Sequence, residues 1–327
     1  MRALIAMSGG VDSSVAAYLM QKQGYDCAGC TMKLIEKMPG EEAPDKTCCS
    51  LDDTEDARSV AIRLGMPFYV FNYTETFRRE VISRFTETYL LGKTPNPCID
   101  CNRCLKFGSL LDRALLLGYD KLVTGHYARL HFDGSRYRLL KGLDASKDQS
   151  YVLYSLTQEQ LAHLAFPLGE MTKEEARKIA QANGFLNADK PDSQDICFVP
   201  DGDYARVVEA EAGRVPPPGD FVDVDGKVLG RHKGIIHYTV GQRKGLGLSL
   251  PAPLYVCRID PETDRVILGP HEALFSREVK VGNVNWISGQ APEGPVSVQA
   301  KLRYRQPPAE AEALPQEDET VLLRFHD

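Results

Sequence analysis

The sequence predicts an α/β fold: an N-terminal doubly wound parallel sheet followed by two small β-rich domains, the last an incomplete β-barrel. Through the first half, short apolar runs alternate with helical patterns, the order that builds a parallel sheet covered by helices. Beyond the VPPPG stretch at 215–219, short β-type runs separated by Gly, Pro and Asp replace that alternation. A further set of strands begins near residue 281. We therefore predict domains over 1–203, 204–278 and 279–327.

The individual elements follow from apolar spacing and from the residues that start and stop helices. Strands are predicted where apolar runs are short and flanked by Gly, Pro or charged residues, at 3–7, 27–32, 68–71 and 121–124. Helices are predicted where apolar residues recur three or four positions apart: after Gly10, after Ser50, and over 75–90, 105–117, 157–165 and 172–183. A hairpin turn is predicted over 223–227.

Composition restricts the class of protein. The 327 residues suffice for two or three domains, and the 43% hydrophobic and 26% charged fractions are those of a globular protein. No apolar run approaches the ~18 residues that cross a bilayer, and no signal-peptide pattern is present, so a cytoplasmic protein without a membrane partner is expected. Nine cysteines in that compartment are not expected to form structural disulfides. The net charge of −6 argues against indiscriminate nucleic-acid coating, although residues 226–305 carry 12 Lys and Arg against 6 Asp and Glu.

The segment SGGVDSS at 8–14 lies between the first strand and the first helix. Backbone N–H groups at such a helix start, together with the helix dipole, favour a phosphate. Gly9 and Gly10 allow close approach of the backbone, and the serines add hydroxyl donors. No lysine follows the glycines, so this is not the GxxxxGK[ST] loop. It resembles the pyrophosphate loop, or PP-loop, of enzymes that adenylate a substrate and release pyrophosphate.

Three cysteines at three-residue spacing, Cys98, Cys101 and Cys104, follow two prolines in TPNPCIDCNRC. A position near the start of the predicted 105–117 helix would favour the Cys101 thiolate through the helix dipole. Such a thiolate can act as nucleophile, persulfide carrier or metal ligand, and an inert buried thiol is the alternative. Cys197 is flanked by Ile and Phe, and its local sequence favours the inert alternative.

Three further polar segments are candidates for ligand contact. TGHY at 124–127 follows a strand end, KDQS at 147–150 is a charged turn, and TVGQRKGLG at 239–247 is a basic, Gly-rich loop. For the last, a plain hairpin and a phosphate contact are both open.

Taken together, these motifs closely resemble the bacterial tRNA-specific 2-thiouridylase family over nearly the whole chain. They occur in family order: SGGVDSS, CCS at 48–50, TPNPCxxCN, TGHYAR, GLDASKDQSY at 142–151, DSQDICF at 192–198, TVGQRKGLG and RYRQ at 303–306. The resemblance implies an adenine nucleotide alpha hydrolase-like PP-loop domain. It also implies an enzyme that uses ATP and Mg²⁺ to adenylate the wobble uridine of certain tRNAs and to replace its O2 by sulfur. Its partners would be tRNA with uridine at the wobble position and a sulfur-donor protein, either a cysteine desulfurase or a relay protein.

The resemblance also implies roles for individual residues. The ATP phosphates would contact residues 6–13, with Asp12 near Mg²⁺, and the full ATP set is Ala6, Met7, Ser8, Gly9, Gly10, Val11, Asp12, Ser13, Met32 and Gly125. Cys197 would carry the terminal sulfur as a persulfide, and Cys101 would attack it or the activated base, leaving a Cys101–Cys197 disulfide. The target base would contact Asn96, Pro97 and Cys98, and other tRNA contacts would be His126, Lys147, Asp148, Gln149, Arg303 and Tyr304.

The chain departs from the family pattern in two places. Position 98 is Cys where many members have Asp, so Cys98, Cys101 and Cys197 could instead hold a [4Fe-4S] cluster, with Cys104 as a substitute ligand. The cluster and the persulfide routes are both open from the sequence. The chain stops at Asp327 where the family's last barrel normally continues, so we expect a truncated or unusually short C-terminus.

Two other function classes are compatible with parts of the sequence. One is a PP-loop adenylating ligase that acts on a small molecule, which would not need Cys101 and Cys197. The other is a tRNA-binding or metal-storage module in which the ATP loop is vestigial and catalysis is absent.

Overall fold

A computed structural model describes residues 1–35, 51–192, 196–199, 201–249, 252–304 and 306–326. Two compact units are formed. The α/β unit comprises residues 1–78, 98–200 and 283–293, and the β-rich unit comprises 79–97, 201–282 and 294–327. Each unit thus contains chain segments that are distant in sequence. The division into domains at 203 and 278 stays a prediction.

The described residues contain fifteen strands and nine α-helices, numbered here in chain order, besides 3₁₀- and π-helical segments. The strands are β1 (Arg2–Ala6), β2 (Asp26–Lys33), β3 (Phe68–Asn72), β4 (Lys121–Val123), β5 (Ala128–Phe132), β6 (Tyr137–Lys141), β7 (Leu164–Ala165), β8 (Gly219–Asp223), β9 (Val228–His232), β10 (Tyr255–Asp260), β11 (Arg265–Gly269), β12 (Glu278–Val281), β13 (Val296–Ala300), β14 (Ala309–Pro315) and β15 (Val321–Phe325). The helices are α1 (Val11–Lys22), α2 (Leu51–Arg63), α3 (Thr74–Phe77), α4 (Ser83–Leu90), α5 (Pro97–Asp100), α6 (Leu111–Leu116), α7 (Gln158–Ala162), α8 (Lys173–Ala182) and α9 (Tyr204–Ala212). Within the described chain, none of these helices is long and apolar enough to span a membrane.

The predicted parallel sheet is confirmed. Its strand order is β3-β2-β1-β4-β7, with every neighbouring pair parallel. Ala3, Leu4 and Ile5 of β1 have no exposed surface, as expected for a central strand covered on both faces. The chain order changes direction between β1 and β4, so ligands are expected at the carboxyl ends of these two strands.

Helix prediction succeeded at α8 and failed at the end of α7. The helix predicted over 172–183 is present as α8, and Thr172 and Glu175 form a capping box at its start. The predicted 157–165 helix ends at Ala162, because residues 164–165 pair with Leu122 and Val123 as the edge strand β7. Tertiary strand pairing therefore outweighed the local helical pattern.

The hydrophobic core of the α/β unit lies between the sheet and helices α1, α2 and α8. Small side chains allow the helices to approach the sheet closely, as at Ala16, Ala17, Ala57 and Ala176, which are all fully buried. This packing holds the start of α1 at the carboxyl edge of β1, and it places the start of α8 beside it.

The helix that carries the cysteine motif begins earlier than predicted. It starts at Pro97, continues as a π-helix over Cys101–Leu110 and ends as α6. Proline suits a first helical position because its missing N–H has no acceptor there anyway. Cys101 is therefore the fifth residue of the helix, just beyond its first turn, and the stabilisation of its thiolate by the helix start stays a prediction. Long π-helical segments are rare and are found mostly at functional sites.

The β-rich unit contains two four-stranded sheets, ordered β10-β11-β8-β9 and β12-β15-β14-β13. In the part of the chain that is described, neither sheet closes on itself, which agrees with an incomplete barrel. The predicted turn at 223–227 joins β8 to β9, with Gly226 at φ 86°. Helices α4 and α9 complete the unit, and their Tyr89 and Tyr204 rings stack at 4.8 Å.

Candidate active site

The loop after β1 is stabilised by hydrogen bonds among its own residues. The Ser13 and Ser14 hydroxyls both donate to the Gly10 carbonyl at 3.0 Å, and the Ser8 amide donates to Ser13 Oγ at 3.2 Å. Gly10 is the N-cap of α1 and, among the described residues, no side chain caps this helix. Amides of the first helical turn therefore lack a side-chain acceptor and are available to an anion.

Two glycines let neighbouring backbone approach the loop. Gly9 has φ 75°, and a Cβ there would lie 2.7 Å from the Cα of Asp53. Gly125, which follows β4, packs so closely that a Cβ would lie 2.9 Å from the backbone of Asp12 and Ser13. The structure thus brings Gly125 to the loop, as expected for residues of one nucleotide site.

Met32, the other predicted adenosine contact, is 7% exposed on β2, the strand next to β1. Its neighbourhood is tied to the loop by backbone, since the Met7 amide donates to the Cys30 carbonyl at 2.7 Å. Contact of Met32 with the adenosine stays a prediction.

Asn187 supports the loop from behind, a role the sequence did not indicate. Its Nδ2 donates to the Gly9 carbonyl at 2.8 Å and to Ser14 Oγ at 2.9 Å, and the residue is 3% exposed. Its Oδ1 has no hydrogen-bond partner among the described residues. Nothing in FLNADK distinguishes this asparagine from an ordinary loop residue, so only the tertiary structure reveals it.

Asp12 is held by two groups that are distant in sequence. Lys173 Nζ donates to both carboxylate oxygens of Asp12, at 2.7 and 2.8 Å, and Tyr127 Oη donates to Oδ1 at 2.8 Å. Burial, together with the negative charge of Asp12, raises the pKa of Tyr127, so its hydroxyl stays a donor. Sequence reasoning assigned no role to Lys173, because an isolated basic residue on a helix is usually solvated.

Asp192 is the second carboxylate of this cluster. It accepts hydrogen bonds from Lys173 at 2.7 Å, Lys147 at 2.8 Å and Arg177 at 3.2 Å. Burial alone would raise the pKa of Asp192, but hydrogen bonds from Lys147 and Lys173 outweigh it and hold the pKa below its usual range. Asp192 is therefore ionised at neutral pH.

The turn at 147–149, predicted to contact tRNA, directs its side chains inward. Lys147 pairs with Asp192, as described above. Asp148 Oδ1 accepts from the Gly142 amide at 2.9 Å, and Gln149 Oε1 accepts from the Tyr127 amide at 3.0 Å. The described contacts of these three side chains are thus internal.

His126 is a buried histidine in this structure. Its Nδ1 lies 2.7 Å from Thr124 Oγ1, and its ring lies 5.7 Å from the Phe107 ring and 5.8 Å from the Phe166 ring. Burial, with a smaller contribution from nearby Lys106, lowers its pKa well below the usual 6.5, so the imidazole is neutral. This environment favours a structural role, and contact of His126 with tRNA stays a prediction.

The described cysteines fall into two groups according to their burial. Cys27 and Cys30 are buried in β2, where burial raises the pKa of Cys27 to about 11 and that of Cys30 further. The more accessible thiols are Cys98, which is exposed, and Cys101, Cys104, Cys197 and Cys257, which are partly exposed. Cys48 and Cys49 lie outside the described residues.

Cys197 is more accessible than its apolar neighbours predicted. It lies in a turn closed by the Val199 amide, which donates to the Ile196 carbonyl at 2.8 Å. The next residue, Phe198, packs edge-on against Phe77 with ring centres 5.7 Å apart. The neighbours thus anchor the turn, and Cys197 remains a partly exposed residue.

The residues proposed for a [4Fe-4S] cluster do not form a ligand set in this structure. Among the described residues, which include Cys98, Cys101 and Cys197, no group of three or more His, Cys, Asp or Glu side chains is arranged to hold a metal ion. The described positions of Cys98, Cys101 and Cys197 therefore do not fit the cluster.

The remaining predicted tRNA contacts differ in exposure. Asn96 is partly buried and Pro97 is buried at the helix start. In the β-rich unit, Arg303 Nη2 donates to the Val240 carbonyl at 2.8 Å, and the 43% exposed Tyr304 ring lies 5.2 Å from Lys301 Nζ. Arg303 and Tyr304 are thus surface residues, with Arg303 tied to the basic loop at 239–247.

Comparison with known proteins identifies the family. Residues 1–201 match the tRNA methyl transferase HUP domain, 210–270 the tRNA methyl transferase PRC-barrel domain, and 276–327 the aminomethyltransferase beta-barrel domain. The chain is 47% identical to tRNA-specific 2-thiouridylase MnmA of Clostridium perfringens, over 100% of this chain and 91% of that protein. It is 50% identical to the MnmA of Geotalea uraniireducens, over 99% of this chain and 87% of that protein. The U34-tRNA thiolase NcsA of Methanococcus maripaludis aligns at 16% identity over 76% of each chain with a TM-score of 0.38, too weak a likeness to support an argument. On the strength of the sequence matches, the chain belongs to the tRNA-specific 2-thiouridylase family.

Proposed function

We propose that this protein is an ATP-dependent tRNA-uridine 2-sulfurtransferase, which replaces O2 of the wobble uridine by sulfur and releases AMP and pyrophosphate. One observation carries the proposal. The chain is 47% identical to a 2-thiouridylase along its full length. Two features of the structure agree with that match: the start of α1 has no side-chain cap, and Cys101 and Cys197 are partly exposed.

ATP would bind at the carboxyl edge of the sheet. Backbone amides at the start of α1 would contact its phosphates, with the proposed set Ala6–Ser13, and Met32 and Gly125 would line the adenosine side. Asp12 would hold Mg²⁺, since carboxylate oxygens are the ligands this ion prefers. The described residues provide no cluster of three acids, so phosphate oxygens and water would complete the shell, as is usual for Mg²⁺ with a nucleotide.

The reaction would proceed in two stages. Uridine O2 attacks the α-phosphorus of ATP, and pyrophosphate leaves, which converts O2 into a leaving group. The terminal sulfur of a Cys197 persulfide then attacks C2, and the C2–O2 bond breaks as AMP departs. The Cys101 thiolate attacks the Cys197 sulfur, which releases the thiocarbonyl and forms a Cys101–Cys197 disulfide. A dithiol reductant returns both cysteines to thiols.

The tRNA contacts are proposed at two places. Asn96, Pro97 and Cys98 would contact the target base, which must leave the anticodon stack before its C2 can react. Further contacts would be made by His126, Lys147, Asp148, Gln149, Arg303 and Tyr304, of which the last two are well exposed. A cysteine desulfurase or a relay protein would load the sulfur on Cys197, whose partial exposure supports access by such a donor.

The decisive experiment is incubation with unmodified tRNA, ATP, Mg²⁺ and a sulfur source, followed by mass analysis of the nucleosides. We expect 2-thiouridine at the wobble position, with one AMP and one pyrophosphate per sulfur. Pyrophosphate release without tRNA, retained by the C101S/C197S double variant, would instead indicate a small-molecule ligase. Absence of tRNA-dependent pyrophosphate release would indicate a binding module. Iron and sulfide analysis after anaerobic purification tests the cluster separately, because iron-free, fully active protein excludes it.

A further inference from the structure

The phosphate loop contains no lysine, yet a buried ammonium group lies against it. Lys173, the first residue of α8, has a side chain only 10% exposed, and its Nζ lies within 2.8 Å of both oxygens of Asp12. A lysine within the loop is what the GxxxxGK[ST] motif supplies to the phosphates of a nucleotide. In this chain, a cation at the loop comes instead from a helix 161 residues further along.

The hydrogen bonds of Lys173 show which partner it can give up. Its ammonium donates to both Asp12 oxygens and, at 2.7 Å, to Asp192. Asp192 is also paired with Lys147 and Arg177, whereas in the described residues Lys173 is the one cation within ion-pair distance of Asp12. The Lys173–Asp12 ion pair can thus be exchanged when a polyanion binds with its metal ion. The polyanion would take the place of Asp12 beside Lys173, and the metal ion would take the place of Lys173 beside Asp12.

We propose that Lys173 is a phosphate-binding residue of the ATP site, an inference that rests on the proposed function. On ATP binding, its ammonium transfers its hydrogen bonds from Asp12 to oxygens of the β- and γ-phosphates while it keeps Asp192. Asp12 then becomes free to hold Mg²⁺. When pyrophosphate leaves, the same ammonium stabilises the negative charge that builds up on the departing group.

The surroundings hold Lys173 in place for this exchange. The Thr172–Glu175 capping box fixes the start of α8, and the Lys173 amide donates to Asp144 Oδ2 at 3.1 Å. The Lys173 Nζ lies 5.9 Å from the centre of the Tyr127 ring, and the side chain is 10% exposed. Only a change of partners, with little movement of the stem, is then needed, so the binding of phosphate costs little ordering entropy.

The test measures the equilibrium affinities of the wild-type protein and of Lys173→Met for ATP and for AMP. AMP lacks the β- and γ-phosphates that Lys173 would contact. We expect ATP binding to weaken at least about tenfold, AMP binding to change less than about twofold, and tRNA-dependent pyrophosphate release to slow about 10²-fold. The matched control is Lys178→Met on the same helix, whose exposed side chain pairs with Glu174 and should leave all three values unchanged. Lys173→Arg, which keeps the charge, should recover part of the ATP affinity.

Equal weakening of ATP and AMP binding, or wild-type values for both, would overturn the proposal. If Lys173→Met does not fold, Lys173→Gln retains hydrogen bonding to the carboxylates without the charge, and the same comparison decides. Failure of the wild-type protein to bind ATP would refute the proposed function itself. Suppose that the wild-type protein binds ATP and thiolates tRNA, but that the Lys173 variant changes ATP and AMP binding equally. That result would refute only the role of this lysine.

Discussion

The edge of the sheet around Asp12 and the segments that carry Cys101 and Cys197 differ in their local structure. Asp12 accepts hydrogen bonds from Lys173 and Tyr127, and Asn187 donates to the loop beside it, so side chains distant in sequence hold this edge. Cys101 instead lies in a π-helix and Cys197 in a short turn, and both residues are partly exposed. The difference suits two kinds of reactant. In the proposed reaction, a small nucleotide benefits from a preformed site, whereas the sulfur would come from a donor protein and leave on a bulky RNA.

The largest expected effect is at the thiols. Cys101→Ser and Cys197→Ser should each lower thiolation at least about 10³-fold while ATP binding stays unchanged, because each removes a sulfur that the proposed reaction requires. Cys257→Ser, which changes another partly exposed thiol, is the control and should retain activity. Nucleoside mass analysis and ATP binding are measured on all three. Full turnover of Cys101→Ser or of Cys197→Ser would contradict the persulfide route.

The preformed loop is tested by alanine at Gly9. Its φ of 75° and the nearby Asp53 backbone should make Gly9→Ala cost about 3 kcal/mol in unfolding free energy, from left-handed strain and overpacking together. Gly24→Ala is the matched control, since Gly24 has φ 86° with open space around it, and should cost about 1 kcal/mol. Denaturant unfolding and ATP binding are the measurements, with ATP affinity reduced only in Gly9→Ala. Equal costs at both positions would show that the loop is not tightly packed.

A smaller effect is expected behind the loop. Asn187→Ala leaves the Gly9 carbonyl and Ser14 hydroxyl without their shared donor, which should cost about 1–3 kcal/mol in unfolding free energy and raise the KM for ATP. Asn183→Ala, which removes only a local hydrogen bond to the Ile179 carbonyl, should leave the KM unchanged. An unchanged KM for ATP in Asn187→Ala as well would mean that the loop keeps its shape without the hydrogen bonds from Asn187.

The smallest effect is a pH dependence at His126. Its pKa is well below 6.5 in the folded protein, whereas the unfolded chain protonates near pH 6.5, so the unfolded state binds more protons as the pH falls. Stability linked to His126 is therefore complete above about pH 6.5 and declines below it, by at most about 1.4 kcal/mol per pH unit. His126→Gln should lose this part of the decline between pH 7 and 5 in denaturant unfolding. Identical pH profiles would contradict the buried, neutral imidazole.

Sequence periodicity was sufficient for the parallel sheet, the position of α8 and the loop between β1 and α1. It failed where partners distant along the chain decide the local structure. The β7 strand forms because residues 164–165 pair with β4, and the helix at Pro97 starts eight residues earlier than the apolar spacing indicated. The family motifs indicated the ATP loop and the two cysteines, yet the inward direction of Lys147, Asp148 and Gln149 was visible only in three dimensions.

The sequence by itself determined the class of fold, the family and the position of the phosphate loop, because strand and helix periods and the loop's glycines act over a few neighbouring residues. Only the tertiary structure decided that Lys173 and Asn187 belong to that loop and that His126 is buried. Lys173 and Asn187 bond to residues more than 150 positions away along the chain. His126 is buried by side chains from separate elements. Such contacts depend on how helices pack on the sheet, which local patterns do not specify.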